Sequence, residues 1–192
     1  MNKQQSKYFN TASIFDEALV LLLKDKDIEY ITIKEICKKA GVNRSTFYLH
    51  YESIDDLLNE TLEYLIKKLG NHFDETTKEF IDKINDNDKE SLILINEKYL
   101  KPYLEFVKSN QSVFAASFKN PKVLKSEEQY RDLKKYIINP ILDKYNIEEY
   151  KRKYIIDFYV YGIMSIIKEW TINGCIEEID IIIKIIIECV RP

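Results

Sequence analysis

Arg44, Ser45, Tyr48 and Leu49 are the residues whose spacing points to chemistry. On a helix turning about 100° per residue they share one arc, with Phe47 well outside it and Tyr51 just beyond its edge. That arc presents a guanidinium, a hydroxyl, a phenol and an isobutyl group. A guanidinium pairs bidentately with a guanine edge, hydroxyls reach phosphates or bases, and leucine contacts a thymine methyl. Just upstream, Lys34 and Lys38 fall on one helical face, away from the apolar positions, and suit phosphate contacts.

No competing chemistry is comparably specified. Neither histidine completes a Glu-x-x-His pair, because Phe47 precedes His50 and Leu69 precedes His72 at that spacing. Four glycines in the whole chain leave no phosphate-binding or dinucleotide loop. Cys37, Cys175 and Cys189 are odd in number and lack CxxC spacing, so neither a disulfide framework nor a zinc site is expected. No catalytic residue, metal or cofactor is therefore assigned. A helical enzyme or carrier is the weakest of the functional classes, behind a nucleic-acid-binding regulator.

The elements that must position the arc are legible. Thr32 and Glu35 have the spacing of a capping box. Ile33, Ile36, Cys37 and Ala40 follow at i, i+3, i+4 and i+7 as one apolar stripe, and Gly41 offers the positive φ of a helix end. A second helix, Arg44 to His50, comes after a short turn, the layout of a helix-turn-helix. Ser53 with Asp56 starts the next helix. Phe47 and Tyr51 face inward to pin the unit, and a preceding helix from Thr11 to Lys24 offers them Phe15, Ala18, Leu19 and Leu22.

The stretch KEICKKAGVNRSTFYLHYESIDDLL resembles the DNA-binding region of the TetR/AcrR (tetracycline-repressor-like) family of bacterial regulators. The similarity lies in Ala40-Gly41-Val42, Thr46-Phe47-Tyr48, His50-Tyr51, Ser53, Leu57 and Leu58. It implies that Thr46, Tyr48 and His50 hold phosphates and that Arg44, Ser45 and Leu49 face bases. Relatives often carry lysine at the start of the fourth helix, where this chain has Ile54.

The chain has 192 residues, 32% charged and 45% hydrophobic, a globular rather than disordered composition. Its net charge of −3 and pI near 5.6 argue against a surface that coats nucleic acid throughout. Residues 1–51 carry eight Lys/Arg against six Asp/Glu, a surplus of +2 that leaves −5 for the rest. A basic head on an acidic body suits DNA contact at one end. Residues 1–10 are polar, so no leader is read. The apolar stretches around 158–167 and 181–187 are too short or interrupted to span a bilayer, and a cytoplasmic location is expected.

Further helices are predicted from Ile54 to Leu69, Leu92 to Ser109, Gln111 to Phe118, Glu127 to Tyr145, Glu148 to Ile172 and Ile176 to Val190, with a loop at Asn85 to Lys89. The expectation is an all-α fold of about nine helices. Residues 1–52 form a helix-turn-helix head, helix 53–69 connects, and 53–192 form a ligand-binding and dimerisation domain.

The resemblance implies that the middle helices enclose an effector pocket. The aromatic candidates are Tyr99, Tyr103, Phe106, Phe114, Phe118, Tyr130, Tyr136, Tyr154, Phe158 and Tyr161, most of them equally suited to plain core packing. It also implies a homodimer through the last two helices, with Ile163, Ile167, Trp170, Ile179, Ile182, Ile183, Ile186 and Val190 as interface candidates. The final helix adds its own argument. Glu177, Asp180, Lys184, Glu188 and Arg191 are spaced 3, 4, 4 and 3 in one narrow polar stripe, and nearly everything else is apolar. A surface helix of a monomer needs only about a third of its circumference apolar.

The function expected is a dimeric repressor that binds a palindromic double-stranded DNA operator and is released by a small-molecule effector of unspecified class. The alternative is a ligand-independent activator, co-regulator or chromosome-associated protein of the same fold.

Overall fold

A computed structural model describes residues 3–68, 97–120, 142 and 146–190. Those residues form eight α-helices and a 3₁₀ turn, with no strand among them. The helices are α1 (Lys3–Asp25), α2 (Ile33–Ala40), α3 (Arg44–Tyr48), α4 (54–68), α5 (Glu97–Ser109), α6 (Gln111–Lys119), α7 (Glu149–Ile172) and α8 (Ile179–Val190). The all-α expectation and the approximate count both hold. The expected helix at 127–145 lies outside the described residues except for Leu142, which is helical and buried. The predicted loop at 85–89 also lies outside them.

Two compact units emerge, Met1–Ile66 with Ser112–Leu124 and Lys67–Gln111 with Lys125–Pro192. In the first, α1 buries Phe15, Ala18 and Leu19 as expected, together with Ala12 and Leu23, while Leu22, expected on the same face, is half-buried. α1 starts eight residues earlier than its apolar pattern, since a formed helix extends cheaply through a polar run once nucleated. Phe15 is the hub. Its ring meets Phe47 edge-on at 5.4 Å and Tyr51 edge-on at 5.8 Å, and Phe15 and Phe47 have no exposed surface.

α4 presents Leu57, Leu58, Thr61, Leu62 and Leu65 to this core. Thr61 is the polar exception. Its hydroxyl lies 2.6 Å from Asp16 Oδ1 and 2.8 Å from the Leu57 carbonyl. The hydroxyl donates toward both acceptors, a three-centre arrangement. Burial raises the Asp16 carboxyl to about 6, against the opposing pull of the Thr61 hydrogen bond.

The second unit has its own core. α5 contributes Leu100, Leu104 and Val107, α7 contributes Ile156, Val160, Ile167, Trp170 and Thr171, and α8 contributes Ile182, Ile183 and Ile186. Leu142, Ile156 and Val160 cluster, with Ile147, Ile155 and Met164 packed against them. Exposed ion pairs join α5 to the start of α8, Lys101 to Asp180 at 3.1 Å and Lys108 to Glu178 at 4.0 Å. α7 ends where Gly174 takes φ +86° and Cys175 N–H donates to the Trp170 carbonyl at 2.9 Å.

α8 begins at Ile179, three residues later than expected. The Trp170 indole donates to the Glu177 carbonyl at 3.0 Å, which claims an acceptor that a helix from Ile176 would have used itself. The Glu178 carbonyl then starts the helix by accepting from Ile182.

Asp16 generates a pH prediction. Its folded-state value lies above the ordinary 3.8, so the folded protein binds the extra proton and stability falls as pH rises from about 4 to about 6. Asp16→Asn should flatten that slope. It should also raise stability at pH 7 by about 1 kcal/mol, because solvent partly screens the half-buried carboxylate. Denaturation midpoints of both proteins at pH 4, 5, 6 and 7 check this, and parallel curves would contradict it.

Candidate nucleic-acid interface

The site is built on α2 and α3. Thr32 Oγ1 accepts from the Glu35 N–H, and the Glu35 carboxylate accepts from the Thr32 N–H at 3.0 Å, completing the capping box predicted from spacing. Lys26 Nζ donates to Glu35 Oε1 at 2.6 Å, tying the link after α1 to the first turn of α2. The Lys26 hydrogen bond, reinforced by those of Thr32, lowers the Glu35 carboxyl to about 2. At nine residues' separation this bridge has no sequence signature.

Ile36 and Cys37 bury the apolar side of α2, which leaves Lys34 and Lys38 exposed together with Lys39. Burial pushes the Cys37 thiol up, as befits a small core residue. Gly41 closes α2 at φ +69°, and Val42 N–H donates to the Cys37 carbonyl at 3.0 Å.

α3 runs only from Arg44 to Tyr48 and ends two residues earlier than expected. Phe47 is buried, and Tyr51, just past the helix, is buried beside it. Arg44, Ser45, Tyr48 and Leu49 are all exposed, Leu49 at 79% and Tyr48 at 54%. Thr46 and His50 are half-buried. Arg44 Nη2 donates to the Tyr48 phenol oxygen at 3.3 Å. The His50 ring packs edge-on against Phe15 at 5.9 Å, and burial lowers its basicity, favouring neutral imidazole.

Ile54 opens α4, whose first turn is capped by Asp56 accepting from Ser53 N–H at 2.9 Å and from Glu52 N–H at 3.1 Å. It lines an open depression of about 390 Å³ with Ile28, Glu29, Ile33, Glu52, Ser53, Asp55 and Asn120. Its rim is acidic, and Asn120 donates to Asp55 at 2.7 Å.

The remaining candidates separate differently from the sequence reading. Phe114 and Phe118 are buried in the first unit with ring centroids 6.4 Å apart. Tyr103 and Phe106 are half-buried in the second, and the Tyr103 hydroxyl lies 3.8 Å from Met164 Sδ. Tyr154, Phe158 and Tyr161 do not line an interior. They are exposed, Tyr154 at 74% and Phe158 at 71%, because Ile156, Val160 and Ile167 take the inward face of α7 and these three lie opposite. Tyr130, Tyr136 and the Tyr99 side chain lie outside the described residues.

Among the interface candidates, Ile167, Trp170, Ile182, Ile183 and Ile186 are buried in the second unit's own core, and Ile163 and Ile179 are half-buried. The Val190 side chain lies outside the described residues. The exposed apolar positions of α8 are Ile181 and Ile185. Among the described residues no helix is long and apolar enough to cross a membrane, and no cluster of potential metal ligands occurs.

A helix-turn-helix head with an exposed Arg/Ser/Tyr/Leu face, joined to a separate helical unit, defines a DNA-binding regulator class. A family model described as "Bacterial regulatory proteins, tetR family" matches residues 14–61, and one described as "Transcriptional regulator C-terminal region" matches residues 96–191. The chain belongs to the TetR family of bacterial transcriptional regulators.

A curated relative, the uncharacterized HTH-type transcriptional regulator YxbF of Bacillus subtilis (strain 168), is 37% identical over 103 residues. That match covers 52% of this chain and 24% of YxbF, so the chain aligns with about a quarter of that protein's length. A TetR transcriptional regulator from Rhodococcus sp. RHA1 shares the fold with a TM-score of 0.59 at 15% identity, covering 96% of this chain and 93% of that one. The dihydroxyacetone kinase operon activator DhaS does so with a TM-score of 0.55 at 17% identity, covering 94% and 93%.

Proposed function

We propose that the chain is a homodimeric repressor whose two heads read a palindromic operator and whose second unit releases them when a small molecule binds. The observation that carries DNA reading is the outward arc of α3. Arg44, Ser45, Tyr48 and Leu49 stand clear of the protein while Phe47 and Tyr51 are locked beneath them. Arg44, Ser45 and Leu49 face bases, and Thr46, Tyr48, His50, Lys34 and Lys38 hold phosphates. Residues 1–52 act as the DNA-binding domain, α4 connects, and 53–192 carry ligand response and dimerisation.

Support for a dimer comes from the face of α7 opposite its core. Tyr154, Phe158, Tyr161, Gly162 and Ser165 are all exposed there. A Cβ on Gly162 would meet nothing within 4 Å, so the chain's own packing does not require glycine. A glycine inside a helix nonetheless costs about 0.5–1 kcal/mol relative to alanine. Close approach of a second copy's helix, with an aromatic ring of one subunit over the glycine of the other, accounts for that cost. Ile181 and Ile185 of α8 extend the surface that a two-fold partner covers. The dimer presents two α3 helices to half-sites one DNA turn, roughly 34–36 Å, apart.

A second reading, activation without a small ligand, is favoured by the naming of DhaS, a protein of the same fold, as an operon activator. A promoter fused to a reporter, with the gene present and deleted, separates the two by the sign of the change.

Enrichment of random duplexes by the purified protein should yield a two-fold-symmetric consensus, and failure to enrich any would overturn the reading of the head. Arg44→Ala should relax preference at one base pair per half-site at a cost of roughly 1–3 kcal/mol. Ile54→Lys should steepen the logarithmic salt dependence of binding by about one unit per head. An unchanged slope would place that residue out of reach of the phosphates. For the dimer, Phe158→Glu or Ile185→Glu should give a folded monomer by sedimentation with lost operator affinity. These exposed positions are preferred to Ile182 or Ile186, where a charge would attack the core itself. An intact dimer in both variants would refute the assigned surface.

A further inference from the structure

Arg44 and Tyr48 stand one helical turn apart on the exposed side of α3, and they touch. Arg44 Nη2 donates to the Tyr48 phenol oxygen at 3.3 Å, and the guanidinium carbon lies 6.0 Å from the Tyr48 ring centroid. The Tyr48 ring is itself propped from below. It meets the Phe47 ring edge-on at 5.7 Å and 89°, and Phe47 meets Phe15 edge-on at 5.4 Å. A continuous run of aromatic contacts therefore leads from the fully buried Phe15 to a solvent-exposed guanidinium.

We infer that Tyr48 is a positioning residue for Arg44, and that reading of one base pair in each half-site depends on the two side chains together. This rests on the reading of α3 as the recognition helix. An unsupported arginine is a long side chain with many rotamers, and ordering it against a base costs conformational entropy. The phenol removes part of that cost before DNA arrives. It engages one of the five donors of the guanidinium fork, whereas a bidentate contact to guanine O6 and N7 needs only two. The phenol's own proton stays available to donate to a phosphate, and a hydroxyl that accepts from a cation is polarised into a better donor. Tyr48 thus joins a base contact to a phosphate contact. A tyrosine that held phosphate alone would contribute equally to every sequence.

The two roles separate in one experiment on the full chain. Wild type, Tyr48→Phe, Arg44→Ala and the double variant are titrated with the enriched consensus duplex and with duplexes changed at each base pair in turn. Tyr48 is exposed and phenylalanine keeps its ring, so the substitution removes the hydroxyl alone, and an unchanged thermal midpoint verifies the fold. At the one base pair whose discrimination Arg44→Ala abolishes, Tyr48→Phe should lower the ratio of mismatched to matched Kd by roughly two- to ten-fold. Discrimination elsewhere should stay at the wild-type value. In the Arg44→Ala background Tyr48→Phe should cause no further loss of discrimination at that pair. Uniform weakening of all duplexes by Tyr48→Phe, with discrimination retained, would overturn the inference while leaving α3 as the recognition helix. Full discrimination at every pair in Arg44→Ala would overturn it as well. A wild-type protein that prefers no duplex would overturn the reading of the head, and this inference with it.

Discussion

The head depends on the burial of Phe47 against Phe15. α3 has five residues and is too short to be stable alone, since a helix must exceed roughly a dozen residues before propagation outweighs nucleation. Its hold on the molecule is the Phe47 ring, edge-on to Phe15 and beside Tyr51. Each such aromatic pair adds roughly 0.5–1.5 kcal/mol beyond the area it buries. Because successive helical side chains are about 100° apart, fixing Phe47 inward also fixes Arg44, Ser45 and Tyr48 outward. One hydrophobic decision thereby sets which groups face outward.

Polar contacts refine that placement rather than create it. The capping box of Thr32 and Glu35 satisfies donors that the first turn of α2 leaves unpaired, and Lys26 extends it toward α1. Exposed ion pairs of this kind contribute little by themselves. Their role is angular, because α2 must meet α1 in one orientation for Ile36 and Cys37 to reach the core while Lys34 and Lys38 stay outside. The Thr61 hydroxyl on α4 donates to the half-buried Asp16 on α1, and burial makes that carboxyl hold its proton more tightly.

The second unit follows a different logic. α8 has three sectors rather than two: a core sector of Ile182, Ile183 and Ile186, an exposed apolar flank of Ile181 and Ile185, and a charged stripe containing Asp180, Lys184 and Glu188. α7 likewise divides into a buried side and an exposed side carrying Tyr154, Phe158 and Tyr161. Both helices are apolar over more of their circumference than their own core consumes. Exposed apolar surfaces of this kind are an aggregation liability unless a partner covers them.

Local signals determined much of this protein from sequence alone. The Thr32 cap, the Gly41 stop, the inward Phe47 and Tyr51 and the outward Arg44, Ser45, Tyr48 and Leu49 were all legible, because caps, left-handed glycines and helical periodicity act over a few residues. The helix-turn-helix resemblance was legible for the same reason. What only the tertiary structure decided were choices between equivalent apolar faces. Periodicity marks Ile182 and Ile185, or Val160 and Phe158, as equally hydrophobic, and only the placement of α5, α7 and α8 against one another buries the first of each pair and exposes the second. The late start of α8, where the Trp170 indole takes the Glu177 carbonyl, and the Lys26–Glu35 bridge were invisible for a related reason. Each is a contact whose energy depends on where a neighbouring segment lies, and no local pattern along the chain encodes that distance.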